Sequence, residues 1–119
     1  MKRQVKKKNG SKWIAKKKRK AIYDRDNHTC AYCDNPVLDR NLTLDHVLPE
    51  ELGGTHCHTN LVVACRSCNQ SKGEKSLDEF LAGLKLAGVD VKKIRHRLLG
   101  RKRRKLSGYR PYHERSNNA

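Results

Sequence analysis

Aromatic side chains are scarce in this chain, at 5% of 119 residues with a single Phe and a single Trp. No apolar run is longer than Leu61-Val62-Val63-Ala64-Cys65. The first shortage excludes a large, self-sufficient hydrophobic core, so the packed centre has to be small and helped by something other than apolar burial. The second excludes a membrane-spanning helix, which needs about 20 consecutive apolar residues. The all-basic start, MKRQVKKKNG, also lacks the apolar stretch of a secretory leader. A cytoplasmic protein is expected, in a compartment where thiols stay reduced. Acidic residues are the third shortage: 12 Asp+Glu stand against 28 Lys+Arg, for a net charge of +16. That is more than solubility asks of a small domain and points to a polyanionic partner.

The charge is unevenly spread. Residues 1–20 contain 11 bases and no acid, and residues 92–119 contain 11 bases and one acid, Glu114. The remaining 6 bases and 11 acids fall in residues 21–91. Positive arms around a mildly negative centre are the pattern expected if the arms track phosphates and the centre coordinates cations.

What the chain does have is cysteine in a pattern. Cys30-Ala-Tyr-Cys33 and Cys65-Arg-Ser-Cys68 are two CxxC pairs separated by 31 residues. Two thiolates on one tight turn chelate a tetrahedral ion, and a second pair closes the site with no position for water. A structural Zn²⁺ follows. Its binding free energy, on the order of 10 kcal/mol in small finger peptides, is enough to replace the missing core. Two disulfides in a secreted scaffold are the competing reading, which the absence of a leader disfavours. Cys57 is the odd one and reads as a plain loop thiol.

The length allows one domain. Residues 1–12 read as a basic flexible arm, 13–100 as the domain with its core at 28–75, and 101–119 as a basic flexible tail. A helix is expected from about Ser11 to Asp26, with Trp13, Ile14, Ala21 and Ile22 on one stripe and Asn27 as its stop. Asp34-Asn35-Pro36 places the first CxxC on a turn, and Leu42-Thr43-Leu44 alternates as a strand. Pro49, Gly53 and Gly54 mark a long loop, Leu61 to Ala64 forms a second strand, and Cys65 to Lys72 turns into a helix. Ser76-Leu77-Asp78-Glu79 is a capping box that opens a helix ending near Gly88. Asp90 caps another, with Val91, Ile94 and Leu98 inward, Lys92, Lys93, Arg95 and Arg97 on the opposite face, and Gly100 as its stop.

Inside the cysteine bracket, Asp45 and His46 are adjacent, so on extended backbone they point to opposite sides. The carboxylate of Asp45 and the amide oxygen of Asn69 are hard ligands suited to Mg²⁺. A neutral His46 can act as a general base at physiological pH. Taken singly, Asp45, Asn60 and Asn69 also suit turns and caps.

Together, the residues resemble a known family. Cys30/Cys33, Leu42-Thr43-Leu44-Asp45-His46, Gly53-Gly54, Asn60 to Cys65, and Cys68-Asn69-x-x-Lys72 are similar to the zinc-containing HNH endonucleases of ββα-metal fold, across roughly a third of the chain. The resemblance implies a small α+β protein with a ββα-metal core stapled by a four-cysteine zinc, flanked by an N-terminal helix and two C-terminal helices. It implies that His46 deprotonates the attacking water, that Asp45 and Asn69 hold one divalent ion at the scissile phosphate, and that Asn60 braces the loop and orients His46. It also implies 5′-phosphate and 3′-hydroxyl products from double-stranded DNA, with Lys72 and Arg66 expected at phosphates. Many family members have His at the position of Asn69, and Asn there should favour Mg²⁺ or Mn²⁺ over Zn²⁺ or Ni²⁺. Lys92, Lys93, Arg95 and Arg97 are the candidate DNA contacts outside the resemblance, competing with a merely solvated basic face. The biological setting would be a bacterial or phage-infected cell, through homing, restriction or phage DNA processing. A zinc-stabilised nucleic-acid-binding module without activity and a ribonucleoprotein component are the alternatives.

Overall fold

The computed structural model describes residues 15–106. Helix α1 (Lys16–Arg25) is followed by strands β1 (Leu42–His46) and β2 (Leu61–Cys65), then by α2 (Arg66–Lys72), α3 (Leu77–Leu86) and α4 (Val91–Arg103). The strands pair antiparallel, with Leu42 opposite Cys65 and His46 opposite Leu61. This small α+β arrangement of hairpin and following helix, with the four cysteines clustered beside it, is consistent with a ββα-metal core.

Strand β2 is the centre of the core. Leu61, Val62, Val63 and Ala64 are all buried, as a continuous apolar run of β-branched residues allows when both faces are covered. Around it pack Ile22 from α1, Ala31, Tyr32 and Val37 from the first cysteine loop, Phe80 and Leu81 from α3, and Ile94 and Leu98 from α4. The Tyr32 and Phe80 rings meet edge to face at 5.3 Å, which joins the cysteine loop to α3. Strand β1 is different. Its one fully buried residue is Asp45, because α2 covers the Thr43/Asp45 side with polar groups.

The local signals act as read. Both bonds of the Ser76/Glu79 capping box form at 3.1 Å, and the Asp90 carboxylate accepts from the Lys92 N–H at 3.1 Å. Helix α1 ends at Arg25, and Asn27 beyond it takes a left-handed φ of 58°. The Trp13 and Ile14 positions of the expected stripe, the basic arm over 1–12, and residues 107–119 lie outside the described residues.

One boundary is corrected. Gly100 does not stop α4, which continues to Arg103. A single internal Gly costs only about 1 kcal/mol relative to Ala, and the turn after it is anchored. Arg101 falls on the same face as Ile94 and Leu98 and is itself buried, with its NH1 3.4 Å from Asp26 Oδ2. Arg104 donates to the Arg25 carbonyl at 3.2 Å. Residues 101–104 are therefore part of the domain rather than of a flexible tail.

Asp26 is the hub of that anchor. Its carboxylate is fully buried and accepts from Arg25 Nε at 2.6 Å, Arg25 NH2 at 3.1 Å and the Val63 N–H at 2.9 Å. Arg25 reaches on to the carbonyls of His58 (2.9 Å) and Leu61 (2.6 Å). The end of α1, the central strand and α4 are thus tied through one ion cluster. No helix among the described residues is long and apolar enough to cross a membrane.

Candidate metal centre and active site

The first CxxC sits on a loop closed by a short bridge between Thr29 and Pro36, with Asp34 in a left-handed turn (φ 63°). The Ala31 N–H donates to the Val63 carbonyl at 2.9 Å, which docks this loop against β2. The second CxxC runs from the end of β2 into α2, where Cys65 caps the helix by accepting from the Cys68 N–H at 3.4 Å. The Cys30 sulfur accepts in the same way from the N–H groups of Tyr32 (3.4 Å) and Cys33 (3.5 Å). The sulfurs of Cys30, Cys33, Cys65 and Cys68 all lie within 4.8 Å of one another and form no disulfide. Burial and the neighbouring thiols push the Cys33 and Cys68 thiols up. Four thiolates therefore need a cation between them. The donor set fits one tetrahedral, thiophilic ion of zinc type, while Cys57 stands apart near His58.

Asp45 and His46 point to opposite sides of β1, as alternation dictates. The Asp45 side chain turns inward and is 5% exposed. Its Oδ2 accepts from the Tyr32 hydroxyl at 2.5 Å and lies 3.3 Å from Lys72 Nζ. Burial pushes the Asp45 carboxyl up, with the Lys72 ammonium pulling the other way, and burial followed by the Asp45 charge pushes the Tyr32 phenol up. Lys72 is completely buried, and its ammonium also donates to the His46 carbonyl at 2.9 Å. This corrects the expectation that Lys72 meets phosphate: its charge is consumed inside, holding Asp45 and the end of β1. Asn69, one turn earlier on α2, donates through Nδ2 to Thr43 Oγ1 at 2.9 Å and to the Leu44 carbonyl at 3.4 Å. That places its amide against β1, on the side of Asp45.

The half-buried imidazole of His46 lies on the other side, against the loop that joins the strands. Burial pushes its pKa below the ordinary value, and the nearby Glu50 carboxylate opposes this. Its Nε2 is 2.9 Å from His56 Nδ1, and His56 Nε2 is 3.4 Å from a Glu50 carboxylate oxygen. Asn60 closes this loop with its whole amide: Oδ1 accepts from the Leu48 N–H at 2.9 Å, and Nδ2 donates to the carbonyls of Leu48 (3.0 Å) and Thr55 (2.9 Å). Its backbone carbonyl accepts from the Val47 N–H at 2.9 Å. Gly54 is required where the loop crosses itself, since a Cβ there would lie 1.7 Å from the Leu48 oxygen.

The basic candidates separate. Arg66 is exposed and donates to the Arg40 carbonyl at 2.8 Å, and Arg95 pairs with Asp78 at 2.8 Å. Lys92 and Lys93 are exposed and line a groove of about 760 Å³ with His96 and Arg104, away from His46, Asn60 and Asn69. Arg97 is corrected: it donates to the Ala31 carbonyl at 2.5 Å and lies 3.4 Å from Asp34, so it clamps α4 to the cysteine loop rather than projecting toward a base. Sequence reasoning missed Tyr32, the Asp26 cluster and the Glu50/His56 pair beside His46. The Tyr within the first CxxC was the one local hint, a polar-tipped ring next to a buried ligand turn.

Comparison with known proteins agrees with this geometry. The model of the HNH endonuclease family matches residues 30–84, just under half of the chain. The CRISPR-associated endonuclease Cas9 of Corynebacterium diphtheriae is 39% identical over 69 residues, which are 57% of this chain and 6% of that protein. The crystal structure of the Type II-C Cas9 enzyme from Actinomyces naeslundii superposes with a TM-score of 0.62 at 22% identity, covering 98% of this chain and 14% of that one, a likeness of fold. The chain thus spans a small part of the length of these relatives. With both CxxC pairs, the hairpin and the Asp-His pair inside the matched segment, residues 30–84 match an HNH endonuclease domain.

Proposed function

We propose that the domain hydrolyses phosphodiester bonds of double-stranded DNA, with His46 as general base and one divalent ion, Mg²⁺ or Mn²⁺, held by Asp45 and Asn69. The observation that carries this reading is the placement of His46, a half-buried imidazole at the end of β1 against the loop that Asn60 fixes, where a neutral ring can accept a proton near pH 7. As water attacks phosphorus, His46 takes its proton, a new P–O bond forms, and the bond to the 3′ oxygen breaks as that oxygen takes up a proton from solvent. The ends left are a 5′-phosphate and a 3′-hydroxyl. Asp45 on β1 and Asn69 on α2 would supply the hard oxygen donors. Since Tyr32 and Lys72 both engage Oδ2 of Asp45, the other carboxylate oxygen would meet the ion. The ion, when bound, supplies positive charge beside the scissile phosphate. Asn60 fixes the loop against which His46 lies, and a Zn²⁺ in the four-cysteine site staples the whole unit. Net charge of +16, with exposed Lys92, Lys93 and Arg66, supports binding to the phosphate backbone, with affinity that falls steeply with salt.

The test is plasmid cleavage by zinc-loaded protein with and without Mg²⁺, beside His46→Ala. Metal-dependent nicking or linearisation that the variant loses is the expected result. Tight, salt-sensitive binding without cutting under any divalent ion overturns the reading and leaves a zinc-stabilised binding module, in which the internal Asp45–Lys72 pair is purely structural.

A further inference from the structure

We infer that His46, Glu50 and His56 form a second metal site, selective for a borderline transition ion such as Zn²⁺, whose filling removes His46 from catalysis. One donor atom from each of the three residues lies within 4.8 Å of the others. His46 Nε2 and His56 Nδ1 are 2.9 Å apart, and His56 Nε2 is 3.4 Å from Glu50. Zinc binds imidazole and carboxylate at about 2.0–2.2 Å, so tetrahedral donors sit about 3.3–3.5 Å apart. Shifts of a few tenths of an ångström bring His46 Nε2 and His56 Nδ1 to that spacing, and the Glu50 carboxylate, which faces the other nitrogen of His56, reaches the same ion by a change of rotamer. Three protein ligands leave the fourth position to water.

The donors stand on a loop that is already fixed. His46 ends β1, and Glu50 opens a short turn after Pro49. The His56 carbonyl accepts from Lys18 Nζ at 2.5 Å, while Asn60 and the close approach at Gly54 lock the chain between Leu48 and Thr55. Little backbone ordering therefore remains when an ion arrives. The His56 and Glu50 side chains are 40% and 46% exposed, which gives an entry path. Two nitrogens and one carboxylate select Zn²⁺, Co²⁺ or Ni²⁺ over Mg²⁺, whose preferred donors are all oxygen. None of the four cysteines takes part, nor do Asp45 and Asn69. An imidazole nitrogen occupied by a metal cannot accept a proton from water, so such an ion opposes Mg²⁺-supported cleavage. Binding stands on the geometry alone, and the inhibitory consequence rests on the proposed role of His46.

The experiment titrates Co²⁺ into full-length protein that retains one Zn²⁺ in the cysteine site, followed by visible absorption. The expected result is one further equivalent with the weak bands of nitrogen and oxygen coordination and no sulfur-to-metal charge-transfer band. His56→Ala and Glu50→Gln should each weaken this equivalent by tenfold or more. In parallel, Mg²⁺-supported plasmid cleavage should be lost at the Co²⁺ or Zn²⁺ concentrations that fill the site, and the inhibiting concentration should rise by tenfold or more in His56→Ala. No second equivalent, or one that neither substitution weakens, overturns the site. Filling without loss of cleavage overturns the inhibition. A protein that binds the second Co²⁺ yet never cuts with Mg²⁺ keeps the site and refutes the nuclease reading together with the inhibition.

Discussion

Replacing Asp26 by Ala is expected to cost this domain about 4 kcal/mol, close to the whole stability of many small proteins. The side chain is fully buried and accepts from four donors: Arg25 Nε, Arg25 NH2, Arg101 NH1 and the Val63 N–H. Truncation leaves both guanidiniums in the interior without a counter-charge, a defect worth about 3–5 kcal/mol when one partner of a buried pair is removed. It also strips an N–H of the central strand of its acceptor, worth about 1–3 kcal/mol on its own. The two costs share the same cluster and do not add in full. Arg25 keeps its bonds to the carbonyls of His58 and Leu61, which places the loss near the middle of the range. The assay is urea unfolding of zinc-loaded protein followed by circular dichroism at fixed free Zn²⁺, because bound metal shifts the apparent stability. Urea is preferred to a guanidinium salt, which screens the charges at issue. With slopes of about 1–3 kcal/mol per M, the midpoint should fall by more than about 1 M. Asp26→Asn retains an acceptor for the Val63 N–H and should lose about half as much. A loss below about 1 kcal/mol for Asp26→Ala would refute the claim that this carboxylate ties α1, β2 and α4 together.

Lys72→Met should destabilise by about 3 kcal/mol, since it leaves the Asp45 carboxylate buried without its ion pair and the His46 carbonyl without its donor. A cleavage defect with unchanged urea stability would show instead that Lys72 works at the phosphate. Gly54→Ala forces a Cβ against the Leu48 carbonyl and should open the loop, lowering both melting temperature and cleavage, whereas a wild-type melting temperature contradicts the crossing. Removal of zinc with a chelator should abolish the cooperative thermal transition, because the small core cannot hold the hairpin alone, and a transition that persists without metal contradicts this. The acidic limb of kcat/KM should lie below the ordinary histidine value of about 6.5. The neutral imidazole is the active form, and burial, opposed by the Glu50 carboxylate, favours it at lower pH. A limb midpoint above pH 7 would argue against His46 as the base.

Much of this protein was legible in its sequence, for reasons that are local. A CxxC needs only a tight turn to chelate, and the capping box at Ser76 and Glu79 closes over three residues. The run Leu61-Val62-Val63-Ala64 announces a strand buried on both faces, and Asp45-His46 splits across a strand wherever the backbone is extended. Tertiary structure decided the fate of the charges. Lys72 read as a phosphate contact and Arg97 as a DNA-base contact because charged residues are usually exposed, yet each meets a partner far away in the chain: the carbonyls of His46, 26 residues off, and Ala31, 66 residues off. Gly100 reads as a helix stop, and it is overridden because Arg101 finds Asp26 at a separation of 75 residues. His56 looks like one of several loop histidines until Asn60 and Gly54 fold the loop back onto His46. Spacing along the chain determines backbone geometry and ligand turns. Only the packed fold determines which charges are neutralised inside and which are left to face a substrate, because the cost of burying a charge depends on partners that local sequence does not specify.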